Sequence, residues 1–218
     1  MIKLSNTSKL GCLSWSLQAG TTCAGSFVQD SALLTPELVD ACKGCYAMGG
    51  NYRFKNVRAV REHNKEDWKR PEWVADMVAG LSKETHFRWF DSGDVYSVAL
   101  ARKIHSIIAA TPHCQHWLPT RMHKFSKFEL VLRQIESLPN AVVRRSSDSI
   151  NGEFTQVHGS TIVPPTMPTP TGAIRCKAAE QDGKCNDCRA CWSKDVPVVA
   201  YVAHGQSMTR LIKVTAVA

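Results

Sequence analysis

Apolar positions along this chain follow two alternating periods. "HFRWF" (86–90) has the two-residue alternation of a strand, and "VYSVALARKIHSIIAA" (95–110) sets Val98, Ala101, Ile104, Ile107 and Ile108 on one helical face. "HCQHWLPT" (113–120) predicts a strand with Pro119 near its end, "FSKFELVLRQIESL" (125–138) a helix, and "AVVRRSS" (141–147) a further strand. Upstream, "CLSWSLQAG" (12–20) reads as the first strand, followed by a long loop holding Cys23. A helix is then expected from about Cys42 or Cys45 to Asn64, and another in "RPEWVADMVAGLSK" (70–83), with Pro71 near its first turn. "VPVVAYVAH" (196–204) supplies a last strand.

Strands alternating with helices of these lengths imply right-handed crossovers, hence an α/β fold with a largely parallel sheet, open or curled into a partial barrel. The stretch "STIVPPTMPTPTG" (160–172) breaks the pattern and reads as a proline-rich connector. The expected organisation is a single domain over 1–218. It comprises an α/β core (1–159) with an N-terminal cysteine loop (21–46), the connector, and a cysteine-rich C-terminal segment with the last strand (173–218). In parallel sheets, chemistry collects at the carboxyl ends of the strands. The residues expected there are "DSGD" (Asp91 to Asp94), Thr120 and Arg121, "SSDS" (Ser146 to Ser149) and His204.

The 218 residues carry an ordinary hydrophobic share of 44%, without an N-terminal secretory run or a membrane-length apolar stretch. A cytoplasmic, reducing setting with no membrane partner is therefore expected. There, nine cysteines argue against a disulfide framework and for metal ligation wherever they cluster. The net charge of +8 is densest from Arg53 to Arg70, "RFKNVRAVREHNKEDWKR". That run reads either as a nucleic-acid footprint or as a solvated helix face, with Phe54, Val57 and Val60 inward and Arg53, Arg58, Arg61 and Lys65 outward.

"CNDCRAC" places Cys185, Cys188 and Cys191 at intervals of three, with Cys176 upstream as a fourth thiol. This spacing suits a [4Fe-4S] cluster, with a four-thiolate zinc site as the alternative. A second group comprises Cys23, Cys42 and Cys45. A cluster loop after a first strand, opening a helix, is the layout of radical-SAM enzymes. Those bind S-adenosylmethionine at an open iron of a three-cysteine cluster, although their C-x3-C-x2-C spacing is replaced here by a first gap of eighteen residues. "CKGC" also fits half a zinc knuckle that could pair with Cys188 and Cys191. Cys12 and Cys114 lie in apolar strand patterns and read as core residues, Cys12 with the option of a fourth ligand to the first group.

The ordered set "SKLG", "SWSLQAGTTCAG", "CYA", "DSGD", "RSSDS", "CNDCRACW" and "VAYVAH" resembles the phage-encoded gene product 88 proteins, which are similar to radical-SAM enzymes in layout. The resemblance implies a radical-SAM-like partial (β/α) barrel, a phage origin (hence host cytoplasm) and iron–sulfur ligation at both cysteine groups. By analogy, Ser92, Gly93 and Asp94 would meet the amino group of S-adenosylmethionine, with Asp94 equally suited to cap the following helix. Arg121 would bind an anionic ligand or pair with Asp91. Asp148 is either a site residue or a polar strand end, and His204 a donor, a ligand or an ordinary histidine. The functional readings are a radical-SAM-like enzyme fed by a reductant protein, a non-catalytic zinc- or cluster-stabilised protein binding nucleic acid or a host factor, and a simple electron carrier.

Overall fold

The structure, a computed structural model, describes residues 1–215, with side chains to residue 212. The last three residues of the predicted 173–218 segment lie outside it. Eight strands form one sheet: β1 (Ser5–Thr7), β2 (Cys12–Trp15), β3 (His86–Trp89), β4 (Gln115–Thr120), β5 (Ala141–Ser146), β6 (Gly159–Val163), β7 (Ala173–Arg175) and β8 (Val198–Val202). Their order is β1-β2-β3-β4-β5-β6-β8-β7, with β1 and β2 antiparallel and every other pairing parallel. The predicted mixed α/β class with a mostly parallel sheet is what the chain forms.

Helices α1 (Asp40–Lys43), α2 (Lys55–Asp67) and α3 (Trp73–Gly80) lie between β2 and β3. α4 (Val98–Ala110) and α5 (Ser126–Ser137) make the next two crossovers, and α6 (Gln206–Thr215) follows β8. The expected face of α4 is buried at Ala101, Ile104, Ile107 and Ile108, with Leu100 beside them. It joins α3, α5 and the sheet in the main core, where Trp15, Trp73, Trp89, Phe87 and Phe90 meet in mostly edge-on pairs. Such pairs add to the stabilisation from area burial alone.

The other sheet face carries a smaller cluster in which Leu10, Cys12, Trp117 and Val199 pack against Cys191, Trp192 and Val196. The cysteine-rich segment therefore lies across the sheet. Trp192 donates its indole N–H to the Phe87 carbonyl at 2.9 Å, and the Cys185 amide donates to the Lys9 carbonyl at 2.8 Å.

Four elements depart from the expectation. The helix expected from Cys42 or Cys45 to Asn64 is divided into α1, two 3-10 turns (Tyr46–Met48, Gly50–Arg53) and α2: the chain leaves helix at Gly44, at the consecutive Gly49 and Gly50, and again at Phe54, which is extended. The residues read as a connector begin with β6, held between β5 and β8, so the connector proper starts at Pro164. Strands β1 and β7, three residues each, had too short a pattern to register. No helix among the described residues is long and apolar enough to cross a membrane.

Candidate functional site

Beyond β2 the chain is fastened to the end of β3. Ser16 Oγ accepts from the Asp91 amide at 3.0 Å, the Leu17 amide donates to the Ser92 carbonyl, and Ser92 Oγ donates to the Leu17 carbonyl at 2.8 Å. Gly93 completes this junction at φ +75°, where an added Cβ would come within 2.7 Å of Leu17 Cβ and Thr22 Oγ1. Only glycine meets both requirements.

Cys23 follows, and the eighteen residues separating it from Cys42 are looped out. Phe27 bridges Leu38, the Val28 amide donates to the Glu37 carbonyl at 2.8 Å, and the Val39 amide to that of Ser26 at 2.9 Å. The chain thus returns to its starting point before α1, and the thiols of Cys42 and Cys45 come within electrostatic range of Cys23. Gly25 fits the loop against β4: a Cβ there would stand 2.6 Å from the Arg121 carbonyl oxygen. Lys124 Nζ adds a bond to the Gly25 carbonyl at 3.0 Å.

The ends of β3 and β4 meet at Asp94. Asp94, buried, accepts from the Val95 amide (2.7 Å), Thr120 Oγ1 (2.7 Å) and the Arg121 amide (2.9 Å). Burial pushes its carboxyl up and these bonds pull it down, burial prevailing. Arg121 pairs with Asp148 at 3.3 Å and donates to the Ser147 carbonyl at 2.8 Å. The Asp91 partner considered for it belongs instead to Arg61. Arg61 is buried, donating Nε–H to Ser92 Oγ at 2.5 Å and lying 3.4 Å from both Asp91 oxygens. This corrects the helix-face reading. Phe54 is exposed and Arg61 points inward, because a carboxylate at the end of β3 supplies the partner that a buried guanidinium requires. Asp148 also pairs with Lys124 and lies outside the cavity wall, whereas His204 is exposed at its rim.

The C-terminal cysteine segment is held by Arg144 of β5, fully buried, with donors reaching the carbonyls of Ala190, Cys191, Ser193, Val196 and Pro197. Cys191 Sγ lies 3.2 Å from Tyr201 Oη, and the Cys176 amide donates to the Ala200 carbonyl at 2.8 Å. Cys185 is coupled electrostatically to Cys176 and Cys188. Cys188 is exposed. Cys12, weighed as an extra ligand for the first group, packs with Cys176, Cys185 and Cys191 of the second.

Both cysteine groups face one cavity of about 620 Å³. Its wall includes Cys23, Cys42 and Cys45 of the first group and Cys176, Cys185 and Cys191 of the second, together with Asp91 to Asp94, Thr120, Arg121 and Ser146. Burial pushes the thiols of Cys23 and Cys191 up, to about 12 and about 11, and those of Cys42 and Cys185 in the same direction. Such thiols are protonated and poor nucleophiles, but they deprotonate when a metal binds. Among the described residues no three His, Cys, Asp or Glu side chains converge as a single-ion site. A polynuclear cluster asks for less convergence, since each thiolate binds a different iron. The donor set fits such a group: the three thiols of Cys23, Cys42 and Cys45, and separately Cys176, Cys185 and Cys191 with Cys188 adjoining.

Between the two groups stands Arg88 of β3. Its guanidinium lies 4.4 Å from the Trp117 ring centroid, and its closest hydrogen-bond partner is Tyr46 Oη at 3.5 Å. Sequence reading turned Arg61 outward and passed over Arg88, Arg144 and Tyr201. A charged residue inside an apolar strand, as in "HFRWF" and "AVVRRSS", is the signal that marks two of them.

The basic run is divided by the fold. Arg61 pairs with Asp91, Lys69 with Glu66, and Arg70 with Asp67 and Asp76, whereas Arg53, Lys55 and Arg58 remain exposed.

These features define a mixed α/β protein with a cysteine-walled cavity against a mostly parallel sheet. The sequence model of the family described as Gene product 88 matches residues 2–194, and the chain belongs to that family. The match is consistent with a phage protein. No curated protein and no solved structure matches the chain.

Proposed function

We propose that the chain is an iron–sulfur protein with a radical-SAM-like partial barrel. One [4Fe-4S] cluster would be held by Cys23, Cys42 and Cys45, and a second by Cys176, Cys185, Cys188 and Cys191. The observation that carries this reading is the shared cavity, which thiols from both ends of the sequence wall although the sequence separates them by more than a hundred residues. The looped-out segment supports it further, because it brings Cys23 beside Cys42 despite their spacing.

When bound, the three-cysteine cluster supplies an open iron for S-adenosylmethionine or substrate and a path for one electron from a reductant protein. The chain's own residues prepare the chamber. Arg61 fixes Asp91 and Ser92, Gly93 permits the close junction with Leu17, and Asp94 locks the ends of β3 and β4 together. Tyr46 Oη donates to the Asp91 carbonyl at 2.7 Å, tying the Cys45 turn to the same junction. The test is incubation of the anaerobically prepared protein with S-adenosylmethionine and dithionite. Formation of 5′-deoxyadenosine supports the enzyme; its absence with full iron content leaves an electron carrier.

A second reading rests on exposed Arg53, Lys55 and Arg58, which would contact nucleic acid. Its mark is an affinity that falls steeply with salt.

A further inference from the structure

We propose that Arg88 anchors an anionic ligand, the carboxylate or phosphate group of a small molecule, inside the cavity. A guanidinium presents five N–H donors, and burying them without acceptors is costly. Arg61 and Arg144, the two buried arginines, meet that demand with a carboxylate and a serine, and with five carbonyls. Arg88, half-buried, does not. It has one long bond to Tyr46 Oη, its Nε is buried without an acceptor, and among the described residues no carboxylate lies within ion-pair distance.

Two further buried donors lack partners in the same wall, Trp117 Nε1 and Thr7 Oγ1. Trp117 lies under the guanidinium, holding its plane by a cation–π contact at 4.4 Å. Arg121, the other arginine of the wall, is already engaged by Asp148 and the Ser147 carbonyl. The cavity is of the size that takes small organic ligands, with aromatic lining from Tyr46, Tyr52, Trp117 and Tyr201. An oriented guanidinium with unused donors, in a mainly apolar chamber, is the arrangement that recognises carboxylate or phosphate by paired hydrogen bonds.

The inference rests on the cavity being a ligand chamber, as in the reading above, but not on iron. A competing role is that of counter-ion to the thiolates, since Arg88 also lowers the thiol pKa of Cys12, Cys185 and Cys191. The experiment separates these roles. The full chain is purified anaerobically, its iron and sulfide are counted, and the same sample is titrated calorimetrically with inorganic phosphate, pyrophosphate, acetate and citrate. Arg88→Gln and Arg88→Lys are titrated in parallel.

Saturable binding of at least one of these anions is expected, weaker by roughly 10- to 100-fold in Arg88→Gln and less so in Arg88→Lys. Preference for the phosphate pair or the carboxylate pair decides the ligand class. Should either variant lose its near-UV dichroism, wild-type crystals soaked with pyrophosphate and citrate take its place, with density expected against the guanidinium. Absence of saturable binding by all four anions, unchanged affinity in folded Arg88→Gln, or soaked crystals without that density overturns the proposal. So does a variant whose cluster potential shifts while its anion affinity does not, which assigns the counter-ion role. Arg88-dependent binding in iron-free protein removes the cluster reading and keeps this one; full iron without binding does the reverse.

Discussion

Arg144 donates its Nε–H to the Cys191 carbonyl at 3.2 Å, from a strand 47 residues away in sequence. Four more carbonyls of the same segment complete its hydrogen bonds, so one buried cation holds a loop with little apolar content of its own. Replacing it leaves these acceptors unpaired in the interior. Arg144→Leu is expected to destabilise the fold by about 3 kcal/mol or more, read as a shift in urea midpoint. A midpoint within experimental error of wild type contradicts the assignment.

The segment between Phe27 and Leu38 acts as an excursion and not as a spacer. Replacing residues 29–36 by Asn-Gly, a turn suited to the antiparallel bridge at its base, is expected to change stability by about 1 kcal/mol or less. Metal content should be retained. Loss of all metal from a folded deletion chain would show that the looped-out residues hold the site themselves.

Cys12 and Cys188 compete for a place in the second group. Cys188 completes the sequence spacing and is coupled to Cys185, yet it is exposed, whereas Cys12 is buried against Cys185 and Cys191. The proposed ligand set predicts that Cys188→Ser loses about half the iron and Cys12→Ser loses none. The opposite pattern moves the ligand to β2.

His116 gives the fold a pH dependence. Burial, with a smaller contribution from His113, pushes its imidazole down to about 3, and Thr111 Oγ1 lies 2.9 Å from its Nε2. The folded chain keeps it neutral while the unfolded chain protonates it near pH 6.5. Its contribution is therefore complete above about pH 6.5 and declines by about 1.4 kcal/mol per unit as the pH falls toward 3. Between pH 7 and 5 the wild type should lose about 2 kcal/mol more than His116→Gln. Parallel stability profiles would refute this.

The helical crossovers were legible because α4 and α5 each bury one apolar face against the sheet, and that face is written in their spacing. Strands β1 and β7 were not, because three residues set no period, and β6 was not, because its last residues run directly into the prolines that follow. The polar interior was missed for a related reason. Arg61 turns inward only because Asp91 and Ser92 await it, and Arg144 only because five carbonyls of the cysteine loop do. Spacing alone gave no sign that the bridge at Phe27 and Leu38 folds out the residues between Cys23 and Cys42. The strand-end residues Asp91 to Asp94, Thr120 and Arg121 were legible, since a parallel sheet gathers its carboxyl ends whatever the details of each strand.

The central claim is that thiols from both ends of the chain hold inorganic clusters in one cavity. Counting iron, acid-labile sulfide and zinc in anaerobically prepared protein tests it most directly. Two clusters give about eight irons and eight sulfides per chain. One or two zincs with negligible iron and sulfide would contradict the account.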